Sequence, residues 1–79
     1  MDNSVNCYPN PLGQGYWNLT VNDNLIGSEA EIFDAGGKLV FKTIIKERYT
    51  EIESRLPGGV YTLRIESGPA FYVKKLVKL

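Results

Sequence analysis

The residues of this chain able to do chemistry are few, and their spacing decides most of what they can do. There is no histidine and a single cysteine, Cys7. A nucleophilic cysteine usually needs a base beside it, so Cys7 reads as a small apolar core residue, the way free cysteine commonly packs. The same two counts exclude an internal disulfide, an ordinary zinc site and a Ser–His–Asp triad. Glu29/Glu31 and Glu51/Glu53 stand two apart, so on a strand each pair shares a face. Paired carboxylates do acid–base work only where a pocket perturbs them, and the plainer reading is a solvated outer face. The Gly-x-Gly of "GQGYWN" leads into a strand-like run rather than a helix, so it is no phosphate loop. "NLT" (18–20) matches a glycosylation acceptor but lies inside that run. Tyr16, Trp17, Tyr49 and Tyr72 could line a carbohydrate platform, although Trp17 suits a core position better. Lys74, Lys75 and Lys78 crowd the last run, where lysines either guard a sheet edge or offer a recognition handle. No constellation is catalytic. The chain reads as a non-enzyme, with no cofactor and no metal.

These residues must be positioned by a small scaffold. The 79 residues suffice for one domain, 1–79, with residues 1–4 as a lead-in. Such a domain buries roughly 60% of its unfolded surface. A composition 43% hydrophobic and 23% charged is globular. Nine basic residues balance nine acidic ones without a block of either sign, which excludes a general nucleic-acid binder. No apolar run approaches the roughly 20 residues of a membrane-spanning helix. Met1-Asp2-Asn3 is polar and acidic where a secretory leader would be positive. That leaves a cytosolic protein or a piece of something longer.

Turn signals every eight to twelve residues or so, with alternating runs between them, are the pattern of an all-β sandwich or barrel. Strands are expected at 4–8, 16–22, 29–34, 38–46, 49–54, 60–66 and 70–79, with no helix. Val5 and Cys7 share one face of the first. Trp17, Leu19 and Val21 point inward from the second, Ala30 and Ile32 from the third, Ile52 from the fifth, and Tyr61, Leu63 and Ile65 from the sixth. Phe33 breaks the alternation. "KLVFKTIIK" (38–46) is apolar on both faces in part, which suggests a central strand. "AGG" (35–37) supplies hairpin glycines. "LPGG" (56–59) fits a type II turn, with Pro57 presetting φ and Gly58 taking the positive φ. Seven strands on short turns point to two antiparallel sheets packed face to face, with a barrel as the alternative.

Pro9 and Pro11 flank Asn10 where the first strand ends. Pro9 lacks an N–H and can stop the ladder; Pro11 restricts Asn10 to extended conformations. The result is a stiff corner, more than joining two strands requires, and suited to recognition.

Four stretches in order, "YPNP" (8–11), "IFDAGGKLV" (32–40), "LPGGVYTLRI" (56–65) and "VKKLVKL" (73–79), resemble the type A C-terminal sorting domain of the bacterial type IX secretion system, over residues 5–79. The resemblance implies a seven-stranded antiparallel, Ig-like β-sandwich that directs a larger, N-terminally fused cargo. The cargo would pass by way of the periplasm through the outer membrane to the cell surface or beyond. The implied partners are the outer-membrane translocon, its shuttle and a sortase-like protease that cleaves the domain off before surface attachment. No nucleic acid and no membrane insertion are implied. Matched to the family motifs, Pro9, Asn10, Pro11, Gly59, Tyr61, Lys74, Lys75, Leu76 and Val77 are the candidate recognition residues, with Gly37 the hairpin glycine. Cys7 stands where Val or Ile is usual. Edge strands could also pair two copies into a homodimer. The alternative is a carbohydrate-binding or adhesive Ig-like module.

Overall fold

The seven expected strands form in a computed structural model that describes residues 4–53 and 55–79. They are β1 (Val5–Tyr8), β2 (Tyr16–Val21), β3 (Glu29–Phe33), β4 (Leu39–Ile44), β5 (Tyr49–Glu53), β6 (Gly59–Ser67) and β7 (Ala70–Lys78). One sheet has the order β1-β2-β5 and the other β4-β3-β6-β7, every pairing antiparallel. The two sheets stay separate, so the architecture is the Ig-like sandwich and not the barrel. Residues 1–3 of the lead-in, Ser54 and the side chain of Glu53 lie outside the described residues.

Alternation places the core. Trp17, Leu19 and Val21 of β2 face Ile32 and Ala30 of β3 and Tyr61, Leu63 and Ile65 of β6, and all are buried. Val5, Ile52 and Leu76 add one residue each from β1, β5 and β7. No polar or charged residue is buried among the described residues. The interior therefore rests on apolar burial and the ladders around it. Tyr61 is the one phenol in this interior. It sits near the start of β6, its hydroxyl donates to the Pro57 carbonyl at 2.5 Å, and its ring meets Trp17 edge-on at 6.3 Å. A tyrosine at this corner bonded to backbone a few residues upstream recurs in Ig-like sandwiches. The bond removes the cost of burying the hydroxyl.

Three expectations need correction. The fourth strand is an edge, not a central strand. Its apolar excess has other causes: Val40 and Phe41 only partly pack against the core, and Leu39 and Ile44 remain exposed. Ile45, just past the strand, plugs the interior, held by hydrogen bonds with Ser28 and Gly27. The register shifts between Ile32 and Phe33, leaving Val40 without an opposite residue. β3 itself stays in regular register with β6, and Phe33 lies on its outer, half-buried face with Glu29 and Glu31, so an apolar residue there breaks the sequence alternation without leaving its face. The chain also makes one short 3-10 turn, Asp23–Leu25, which buries Leu25 between β2 and β3. Finally, Gly58 has no positive φ. What favours glycine there is close packing: a Cβ would meet the Leu79 carbonyl carbon at 3.3 Å and the Lys78 oxygen at 3.4 Å, and the last residues would have to give by a few tenths of an ångström.

The β3–β4 hairpin follows expectation. Gly37 has φ 86°, and Asp34 Oδ1 accepts the N–H groups of Gly36 and Lys38 at 2.9 Å each.

Because Trp17 is wholly buried in so small a core, Trp17→Ala is expected to cost about 3–5 kcal/mol. Urea unfolding followed by circular dichroism will measure it, and a loss under about 1 kcal/mol would contradict this account of the core.

Candidate functional site

The first motif and the last meet in space. The Asn10 side chain lies against the outer edge of β7, where its Nδ2 donates to the Lys75 carbonyl at 2.8 Å and its Oδ1 accepts the Val77 N–H at 2.8 Å. One side-chain amide thus supplies the donor and acceptor that a neighbouring strand would supply. Main chain continues the cover: Leu12 N–H donates to the Val77 carbonyl and Leu79 N–H to the Leu12 carbonyl, both at 2.8 Å. Leu12 runs parallel to Lys78 in an isolated bridge and is fully buried. The Lys78 ammonium reaches the Gly13 carbonyl at 3.4 Å. The peptide bonds Tyr8–Pro9 and Asn10–Pro11 are both cis.

Behind this edge stands the third motif. Gly59 pairs with Lys78 and Tyr61 with Leu76 across the β6–β7 ladder. The β3–β4 turn, Asp34–Gly36, borders the same end at Gly58–Tyr61. Pro9, Asn10, Pro11, Gly59, Tyr61, Leu76 and Val77 therefore converge at one end of the sandwich, the end that holds Leu79.

They do not share one job. Pro9, Asn10 and Pro11 are exposed, as are Lys74 and Lys75. Leu76 and Tyr61 are buried, so they hold the surface in place from within. Val77 is half-buried, with both its outward main-chain groups taken by Asn10 and Leu12. Gly59 is an exposed start of β6. Among the described residues no ion pair holds Lys74 or Lys75, which leaves two neighbouring positive charges facing water. Sequence reasoning missed Leu12 and gave Gly58 a turn role in place of its packing role. Leu12 carried the weak signal of an isolated apolar residue between Pro11 and Gly13, which a solvated turn would not need.

Cys7 adjoins this region. It packs partly buried against the core, and burial pushes its thiol from an ordinary value near 9 up to about 11, against the opposing charge of Lys74. A protonated thiol is a poor nucleophile, so Cys7 behaves as the small apolar residue its sequence context suggests.

The four aromatics do not make a platform. Trp17 is in the core and Tyr72, half-buried, belongs to the other sheet. Only Tyr16 and Tyr49 share the outer face of the three-stranded sheet, where the Tyr49 hydroxyl donates to Asn18 Oδ1. The Asn18 amide also donates to the Tyr8 carbonyl at 3.1 Å. The outer carboxylates are likewise surface groups, Glu29 paired with Lys42 at 3.2 Å and Glu66 with Arg64 at 2.7 Å. Among the described residues there is no group of three potential metal ligands, and no helix is long and apolar enough to cross a membrane.

Two measurements check this geometry. Asn10→Ala removes both bonds to β7 and is expected to cost about 1–2 kcal/mol and to speed hydrogen exchange at the Val77 amide. An unchanged exchange rate would mean that the amide does not close the edge. The raised Cys7 pKa means that the unfolded thiol ionises first as pH rises. It follows that Cys7 lowers stability progressively between pH 9 and about 11 and has no such effect below 9. Cys7→Ala should flatten that part of the pH profile relative to the parent, in a comparison where the other titrating groups are common to both proteins.

Comparison with known proteins supplies the context. The family model described as "Secretion system C-terminal sorting domain" matches residues 6–79. No curated protein matches the chain at a significant level. Among solved structures, PorZ, "an essential bacterial surface component of the type-IX secretion system of human oral-microbiomic Porphyromonas gingivalis", is similar with a TM-score of 0.84 and 18% identity. The likeness covers 95% of this chain and 11% of that one. At that identity it shows the shared sandwich fold alone.

Proposed function

The chain belongs to the family of C-terminal sorting domains of the type IX secretion system, and from that premise we propose which surface is read and what becomes of the protein that carries it. The domain is a sorting signal that marks proteins for secretion to the cell surface or outside, and such a domain is not expected to be catalytic. In our reading, residues 1–79 form a single domain fused behind a cargo domain, with the start of the chain as linker. The cargo passes through the periplasm, and the folded sandwich is presented to the outer-membrane translocon by a shuttle. A sortase-like protease then removes it, and the cargo is attached to the surface. No nucleic acid, membrane insertion or cofactor enters this scheme.

The recognised surface is the one built around β7. Pro9, Asn10 and Pro11 form its rim, Lys74 and Lys75 its charges, and Gly59, Tyr61, Leu76 and Val77 its support. The observation that carries this reading is the pair of hydrogen bonds from Asn10 to Lys75 and Val77, because they join the two end motifs into one surface. A receptor that meets many different cargoes needs such a constant, folded patch, and exposed charges can be presented there without disturbing the core. A homodimer through edge strands fits best at β4, the other edge of the four-stranded sheet.

The test fuses residues 1–79 behind a signal peptide and a reporter, in a host with the secretion system. Surface display of the fusion is expected. Deleting residues 74–79 should abolish it, but that deletion also removes the buried Leu76. The sharper variant is Lys74→Ala with Lys75→Ala, which leaves the core untouched and should leave most of the reporter in the periplasm. Undiminished display of a folded double variant would remove the lysines from the recognised surface. A folded parent fusion held in the periplasm would count against this scheme as a whole.

A further inference from the structure

The cover over the β7 edge stops halfway. Residues 75, 77 and 79 turn main-chain groups away from β6, as their bonds to Asn10 and Leu12 show. An antiparallel strand directs both groups of a residue to the same neighbour and alternates sides along the chain. Phe71 and Val73 therefore present their N–H and C=O groups on that same outer side, and Lys75 presents its N–H. Among the described residues no protein group bonds them there. A recess of about 300 Å³, lined by Val5, Phe71, Tyr72, Val73 and Lys74, opens beside this free stretch. Phe71 and Val73 are also the most exposed large apolar side chains within any strand, at 60% and 58%. Unpaired edges of this kind are where extended segments add as strands.

The charges select the occupant. Lys74 and Lys75 lie within the free stretch and have no acidic partner among the described residues. A second copy pairing antiparallel through β7 in a register centred on Lys74 or Lys75 would set like charges opposite one another, which is destabilising across a ladder. We propose that Phe71–Lys75 receives an extended acidic–apolar segment of a partner protein as an added strand. Its main chain bonds to Phe71, Val73 and Lys75, its apolar side chains cover Phe71 and Val73 on one face, and its carboxylates meet Lys74 on the other face. The proposal rests on the sorting role and gives its recognition step a physical form. Asn10 and Leu12 set the limit of the docking site, since they occupy the rest of the edge.

The test uses the 79-residue chain, isotope-labelled for amide hydrogen exchange, and two synthetic peptides that alternate valine with glutamate or valine with lysine. The glutamate peptide is expected to slow exchange at Phe71, Val73 and Lys75 by about tenfold or more, and the lysine peptide to leave it unchanged. Val73→Pro deletes one outward N–H without breaking the β6 ladder, a position where an edge strand tolerates proline, and should abolish the protection. Val73→Thr, which keeps the N–H, should preserve it. Should Val73→Pro fail to fold, Lys74→Glu with Lys75→Glu provides an independent readout, with preference switching to the lysine peptide. Equal protection by both peptides, or protection confined to the edges of β1, β4 or β5, overturns the proposal. So does a peptide-free dimer in which these amides are already protected. In the export assay, a folded Val73→Pro fusion displayed as well as the parent overturns strand addition and leaves the sorting role standing. Failure of the parent fusion to export removes the sorting role and this inference with it.

Discussion

A strand at the rim of a sandwich sheet has one edge bonded to its neighbour and one edge bare, and the rest of this structure depends on how that second edge of β7 is covered. Here the closing group is a single carboxamide. Asn10 presents its donor and acceptor to Lys75 and Val77 with the spacing of a strand, and Leu12 continues the ladder with its own main chain. Without this cover, β7 would be tied to the fold mainly by β6, by the buried Leu76 and by the partly buried Tyr72. With it, the loop after the first strand, the last strand and the β5–β6 turn become one body. Gly58 belongs to the same device, since a side chain there would crowd the Lys78–Leu79 backbone that the turn runs against.

The core supports this arrangement from the inside. Tyr61 touches Trp17 of the opposite sheet with its ring, bonds the Pro57 carbonyl with its hydroxyl, and pairs with Leu76 of β7 across the ladder. One residue thus connects the two sheets, the turn and the last strand. Carboxylates and lysines are left to the outside, where the pairs Glu29–Lys42 and Glu66–Arg64 are solvated and add little to stability. A scaffold with no charge inside can vary its surface charges without refolding, and Lys74 and Lys75 lie outside the core.

Most of the scaffold was legible in the sequence because strands with one buried face write a period of two. Trp17-Asn18-Leu19-Thr20-Val21 and Tyr61-Thr62-Leu63-Arg64-Ile65 show it plainly, and their buried residues are the alternate ones. The pattern failed where one apolar run served two purposes. In 38–46 the strand ends at Ile44 and Ile45 plugs the core beyond it, so apolar content overstated how central the strand is. Local turn rules likewise placed Gly58 in a left-handed conformation, whereas its constraint comes from a segment twenty residues on. The candidate site was legible as four separate motifs and not as a surface. Nothing local in Asn10 shows that its partners lie 65 and 67 residues away. A polar side chain between two prolines reads as a turn until the last strand is laid beside it.

That separation in sequence has a consequence for timing. A ribosome releases Asn10 well before the groups it must bond, which follow 65 and 67 residues later. Until they emerge, the loop has nothing to close upon, Leu12 has no pocket and β6 lacks its outer neighbour. A polypeptide interrupted anywhere before Lys75 cannot assemble the surface at all. The closed edge thus forms only after both ends of the domain are present together.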